Sequence, residues 1–238
     1  MPRLNPALYT PISIIAAGII VAIAIVGVNM HSSGSAAVAT GNTQGTTPPA
    51  NLDSSQVSST GNPTLGVDSA PLTIDYWFDY QCPFCKQNEA TVMPQLIKDY
   101  VDTGKVKIVF KDFSFLGTDS DTLGHYGRAV WQVAPQKFYA WHAAIYANQG
   151  EENTGWATPA VIQRITSTVL TSAETAQVVQ LATADATKYQ AAMDADKQEG
   201  EQDGVQGTPA MLIGTQMIAG AEPYAQIKSA IDQELAKK

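Results

Sequence analysis

Two cysteines three apart, Cys82-Pro83-Phe84-Cys85, stand where a strand pattern gives way to a helical one, and the chain holds no other cysteine. Upstream, Leu72–Asp79 (LTIDYWFD) is rich in β-branched and aromatic residues behind Pro71 and reads as a strand. Its apolar residues fall on both faces, Leu72, Ile74, Tyr76 and Phe78 on one and Trp77 on the other, as suits a central strand. Downstream, Val92, Met93, Leu96, Ile97, Tyr100 and Val101 recur at helical spacing. Pro94 should kink that helix and Gly104 should cap it. Val106–Phe113 (VKIVFKDF) is a second strand, whose alternation leaves Lys107 and Lys111 outside the apolar set. Strand, helix, strand is a β-α-β unit, so the fold class is α/β.

No strand pattern follows until residue 210. Segments 121–133, 135–149, 158–170, 174–184 and 185–203 read as helices, punctuated by Pro135, Gly150–Gly155 and Pro159. Ala210–Ile213 and Gln216–Ile218 then flank Gly214-Thr215 as a hairpin, and Pro223–Ala236 closes as a helix with Tyr224, Ile227, Ile231 and Leu235 on one face.

The chemistry lies in the cysteine pair. Cys82 falls at the helix N-cap and Pro83 at N1, where a missing N–H costs nothing. The free amides of the first turn favour a thiolate at Cys82. Residues i and i+3 are close enough to form a disulfide after a small adjustment. One thiol should be exposed and the other behind it, as attack and resolution require. A purely structural staple fits poorly, because this bridge closes almost no loop and so gains little entropy. A metal site would need two more ligands from His31, His125 and His142.

The N-terminal quarter has a different character. Ile12–Val28 runs seventeen residues with no charge, enough with its neighbours to cross a bilayer. Arg3 precedes it and no Lys or Arg follows until Lys86, which places residues 1–11 in the cytoplasm and the C-terminal bulk outside. A cleaved signal peptide is the competing reading, with Ala37-Val38-Ala39 as its site, but that site is eleven residues beyond Val28. The expectation is an uncleaved anchor over 12–30. Residues 31–63 take 24 of 33 positions from Gly, Ser, Thr, Asn, Gln and Pro, and are expected to form a disordered linker reaching about 30 Å. Of 14 basic and 22 acidic residues, only Arg3 and Asp53 precede residue 64. A net charge of −8 without a Lys/Arg cluster argues against nucleic acid.

The stretch FDYQCPFCK (Phe78–Lys86) resembles the active site of DsbA-type thiol–disulfide oxidoreductases of the thioredoxin superfamily. The resemblance continues through FKDF (Phe110–Phe113), QKFYAWH (Gln136–His142) with Asn148-Gln149, and GVQGTPAMLIG (Gly204–Gly214), and so spans about residues 64–238. It implies a thioredoxin fold with a helical insertion at about 120–203, preceded by the transmembrane helix and linker. It implies Cys82 as nucleophile, Cys85 as resolving thiol, Thr208 and Pro209 as a cis-proline loop, and Pro83 and Phe84 as residues that tune the site. No cofactor beyond the redox disulfide is implied. The substrates would be reduced exported proteins, and the reoxidising partner a membrane quinone-linked thiol oxidase. A reductase or isomerase of the same fold, or a non-catalytic binding or chaperone module, is the alternative.

Two positions depart from that pattern. Six residues before the first cysteine, where thioredoxin-like proteins often carry a buried acid, stands Tyr76; Asp75 points to the opposite face, and Asp79 reads as a solvated strand-end carboxylate. Phe84 occupies the dipeptide where the strongest oxidants carry histidine, which leaves the helix terminus to stabilise most of the thiolate. His142 reads as a packed histidine, His125 as a surface or packing residue, and Glu199, Glu201 and Asp203 as a solvated helix face.

Overall fold

A computed structural model describes residues 52–238. The expected anchor over 12–30 lies outside the described residues, as does the linker up to residue 51. Among the described residues, no helix is long and apolar enough to cross a membrane. In chain order the elements are β1 (Thr64–Leu65), β2 (Leu72–Phe78), α1 (Pro83–Thr91), α2 (Met93–Leu96), β3 (Val106–Asp112), α3 (Thr118–Val133), α4 (Phe138–Ala147), α5 (Pro159–Thr166), α6 (Ser172–Ala184), α7 (Ala186–Gln202), β4 (Ala210–Ile213), β5 (Gln216–Ala219) and α8 (Tyr224–Leu235). A π-helical turn, Ile97–Val101, follows α2, and a 3-10 turn, Pro135–Lys137, precedes α4. The expected α/β order holds, with α3–α7 inserted between β3 and β4.

One five-stranded sheet runs β1-β3-β2-β4-β5. β2 lies parallel to β3, from Leu72 opposite Val106 to Phe78 opposite Asp112, and antiparallel to β4, from Ile74 opposite Ile213 to Trp77 opposite Ala210. Strand parity explains its double-sided apolarity. Ile74, Tyr76 and Phe78 join the main core with Ile108, Phe110, Ile227 and Ile231, while Trp77 packs with Phe113, Val205 and Leu212 on the other face. The helix after β2 breaks at Val92, just before Pro94, where proline removes a backbone donor. It ends at Gly104, whose φ of +71° is open to glycine and closes the last turn through Gly104 N–H to Val101 O.

The folded part begins earlier than composition suggests. Residues 52–63, assigned to the linker on their polar character, pack on the sheet. Ser54 donates its N–H to Gly214 O (2.8 Å) and its hydroxyl to Thr73 O (2.9 Å). Pro63 O accepts from Phe110 N–H (2.8 Å), and the Asn62 amide reaches Phe110 O and Asp196 Oδ2. Leu52 and Val57 pack against the cluster around Trp77. Small polar side chains here satisfy backbone groups of the sheet, which composition does not register.

A buried charge network ties this segment, β3, α3 and α7 together. Lys111 Nζ meets Glu199 (2.7 Å), Asp196 (3.5 Å) and the Ser58 carbonyl, at 1% exposure. Arg128 pairs with Asp112 (2.7 Å) and with Asp196. The acidic run is therefore not one solvated face: Glu201 is exposed, Glu199 is paired with Lys111, and one carboxylate oxygen of Asp203 is buried.

Candidate active site

Strand β2 ends by delivering Asp79-Tyr80-Gln81 into a tight turn, closed by Cys82 N–H to Asp79 O at 3.0 Å. Cys82 is the N-cap of α1, in extended conformation, and Pro83 opens the helix as its N1 residue. The turn is held from two sides. The Asp79 carboxylate, buried at 1% exposure, accepts from Gln81 N–H (2.8 Å), Ser120 Oγ (2.6 Å), Phe115 N–H (2.9 Å) and Leu116 N–H (3.1 Å). Asp79 is thus no solvated carboxylate. It organises the loop after β3, whose amide donors lie some 36 residues along the chain. From the insertion, Tyr146 Oη donates to Asp79 O (3.0 Å), and Gln149 Nε2 donates to Tyr80 O (2.8 Å) and Cys82 O (3.1 Å).

The two thiols differ sharply. Cys82 Sγ lies 3.3 Å from the carbonyl of Thr208, whose bond to Pro209 is cis, as the resemblance implies. Its pKa is pulled down to about 6, first by the hydrogen bond from the Cys85 thiol, then by Thr208 and the backbone N–H groups of Cys85 and Phe84, against the opposing effect of burial. Burial pushes the Cys85 thiol well up, and its hydrogen bond to Cys82 adds to this. The expected order of causes is therefore corrected: the helix amides contribute, but the neighbouring thiol comes first. The expected exposure is corrected too. Cys82 is only 4% exposed and Cys85 is 0%, while Phe84 stands out at 60%. A groove of about 260 Å³ shares Thr208 with the thiol site and is lined otherwise by Val205, Gly207, Ala210, Met217 and Ala219, on the Trp77 side of the sheet.

Around the site, His142 is packed as expected. It sits among Phe78, Phe110 and Tyr146, with one ring nitrogen 3.1 Å from Tyr80 Oη and the other 3.2 Å from Glu89. His125 meets Gln190 at 2.9 Å, half-buried. Tyr76 is buried on the core side of β2. Asp75 faces the other way, fully buried with neither carboxylate oxygen hydrogen-bonded, and burial raises its pKa to about 8 against the pull of Lys111. No local pattern marks Gln149 and Asp79 as holding the turn, apart from Asn148-Gln149 falling within the resembling segments.

The chain as a whole is similar to known proteins. Residues 58–233 match the thioredoxin family model. Disulfide bond formation protein D of Bacillus subtilis is 29% identical over 186 residues, covering 78% of this chain and 82% of that protein. A probable disulfide bond formation protein D of Bacillus anthracis is 30% identical over 175 residues, covering 73% and 78%. The crystal structure of oxidised BdbD from Bacillus subtilis superposes with a TM-score of 0.68 at 27% identity, over 75% of this chain and 95% of that one. Chlamydia trachomatis DsbA, at 21% identity and a TM-score of 0.66, shares the fold. The chain belongs to the thioredoxin family and is a DsbA-like thiol–disulfide oxidoreductase.

Proposed function

We propose that the protein oxidises cysteine pairs in exported proteins, with Cys82 as the attacked sulfur and Cys85 as the resolving thiol. The observation that carries this reading is the opposed tuning of the two thiols beside the Thr208 carbonyl. In the reaction, a substrate thiolate attacks Cys82 Sγ of the Cys82–Cys85 disulfide. The S–S bond breaks, and Cys85 leaves with the electron pair and takes up a proton. A second substrate thiolate then attacks the substrate sulfur of the mixed disulfide and releases Cys82 as thiolate. The substrate gains a disulfide, losing two electrons, and the protein ends as a dithiol. A leaving thiol of low pKa speeds the release, and a stabilised thiolate favours the reduced protein, so the pair acts as an oxidant. Thr208 and Pro209 form the cis-proline loop beside Cys82, with whose backbone an extended substrate would pair, and Pro83 and Phe84 set the start of α1.

The same reading places the catalytic domain outside the cell membrane, anchored through 12–30, with a quinone-linked thiol oxidase restoring the disulfide. Its test is trapping. Cys85→Ser should accumulate mixed disulfides with substrates, because nothing internal resolves the adduct, whereas Cys82→Ser should accumulate few. Equal trapping by both variants overturns the roles. A reductase or isomerase would keep Cys82 and Cys85 mostly reduced in the cell, which a thiol-alkylation gel shift reads directly. A binding module would tolerate both serine variants. The anchor predicts retention in the membrane fraction after alkaline wash, and a soluble form beginning near Thr40 would overturn it.

A further inference from the structure

We propose that Gln149, contributed by the helical insertion, is a positioning residue for the Cys82 nucleophile. Its side-chain amide donates to two carbonyls of the turn before α1, Tyr80 O at 2.8 Å and Cys82 O at 3.1 Å. The Cys82 carbonyl already accepts the first helical bond, from Lys86 N–H at 3.2 Å, so Gln149 fills its second lone pair. In return, Lys86 Nζ donates to Gln149 O at 3.3 Å, closing a ring between the start of α1 and the end of α4. Three residues earlier on α4, Tyr146 holds the Asp79 carbonyl.

Two physical effects follow. A carbonyl dipole in the nucleophile's own residue presents negative charge near a thiolate, and a second N–H donor offsets it. The same bond fixes the orientation of the Cys82 peptide, and with it the amides of Phe84 and Cys85 that face Sγ. The insertion thereby acts on the reactive sulfur through one backbone atom, without touching the sulfur.

The inference rests on Cys82 being the reactive thiol, yet its readout needs no substrate. In the full chain, the Cys82 pKa is measured from the pH dependence of alkylation in Gln149→Leu, Gln149→Asn and Gln81→Leu. Gln81→Leu removes a comparable cross-link, to Leu116 O and Ser120 Oγ, and leaves the Cys82 carbonyl alone. Losing a dipolar donor at this range should raise the pKa by about half a unit, so alkylation at acidic pH slows about threefold. The equilibrium with glutathione should move towards the disulfide in the same ratio. Gln149→Asn, too short to reach, should behave like Gln149→Leu, and it carries the test if the leucine variant does not fold. Gln149→His, which keeps an N–H, should restore part of the loss. An unchanged Cys82 pKa in a folded Gln149 variant overturns the inference, as does an equal rise in Gln81→Leu. Normal pKa shifts with no mixed-disulfide trapping would instead sink the oxidase reading and leave this one standing.

Discussion

Removing the Cys85 thiol should weaken the acidity of Cys82 at least as much as any change to the exposed dipeptide can strengthen it. The leading cause of the low Cys82 pKa is the Cys85 S–H, followed by Thr208 and two backbone amides. A hydrogen bond to a charged group contributes roughly 1.5–3 kcal/mol, and one pKa unit is about 1.4 kcal/mol. Sulfur is a weak donor, so the low end applies, and Cys85→Ala should raise the Cys82 pKa from about 6 to about 7. At pH 7 the thiolate fraction then falls from about nine-tenths to about half. Cys85→Ser keeps an O–H donor in the same place and should hold the pKa near its starting value. Thiolate absorbance across a pH titration reads both variants, with alkylation rate as a second probe. A Cys82 pKa in Cys85→Ala within a few tenths of the parent would refute the reasoning and return the weight to the helix amides. Serine and alanine variants rising together would refute it as well.

Three further outcomes follow from other parts of the molecule. Phe84→His places a ring N–H or positive charge near Cys82, and because Phe84 is 60% exposed the pKa should fall by no more than about one unit, raising the potential by up to about 30 mV against glutathione. Asp75 is raised to about 8 by burial, so the folded state holds a proton that the unfolded state releases near pH 4. Stability should therefore fall as pH rises from about 4 to 8, and Asp75→Asn should gain an advantage of a few kcal/mol across that window and hold it above; a denaturant series with no pH dependence in the difference would refute this. Arg128→Met leaves Asp112 buried without its cation, and Asp196 with Lys111 and Asn62, and should cost about 3 kcal/mol in chemical denaturation, against near neutrality if the pairs contribute nothing.

Local pattern was enough for most of the elements, the two-residue edge strand β1 excepted. β2, its apolar parity, the break near Pro94 and the helices of the insertion all follow from periodicity and punctuation. The cysteine pair and its place at a helix start were equally legible, because N-capping is a short-range property. What periodicity missed depends on partners far along the chain. Asp79 looked like a solvated strand end because its donors, Phe115, Leu116 and Ser120, lie in a later loop and helix. Lys111 stood outside the apolar set, yet it is buried because Glu199 and Asp196 come 85 or more residues later to meet it. The order of causes at Cys82 could not be read either, since the facing of two sulfurs depends on the helix they share and the Thr208 loop above it.

Residues 52–63 also determine where force enters the fold. Ser54 is fastened at the start of β2, through Thr73, and at the β4–β5 turn, through Gly214, whereas Cys82 follows the far end of β2. The seven residues of that strand separate them by about 20 Å. A pull applied at residue 52 is resisted first by the Ser54 bonds, at the end of β2 away from the sulfurs, and only then by the ionic clasp around Lys111, which stands opposite Trp77 near the end that carries them. Tension from the N-terminal side is therefore taken up at the Ser54 bonds before it reaches Asn62, Pro63 and the end of the sheet from which Cys82 emerges.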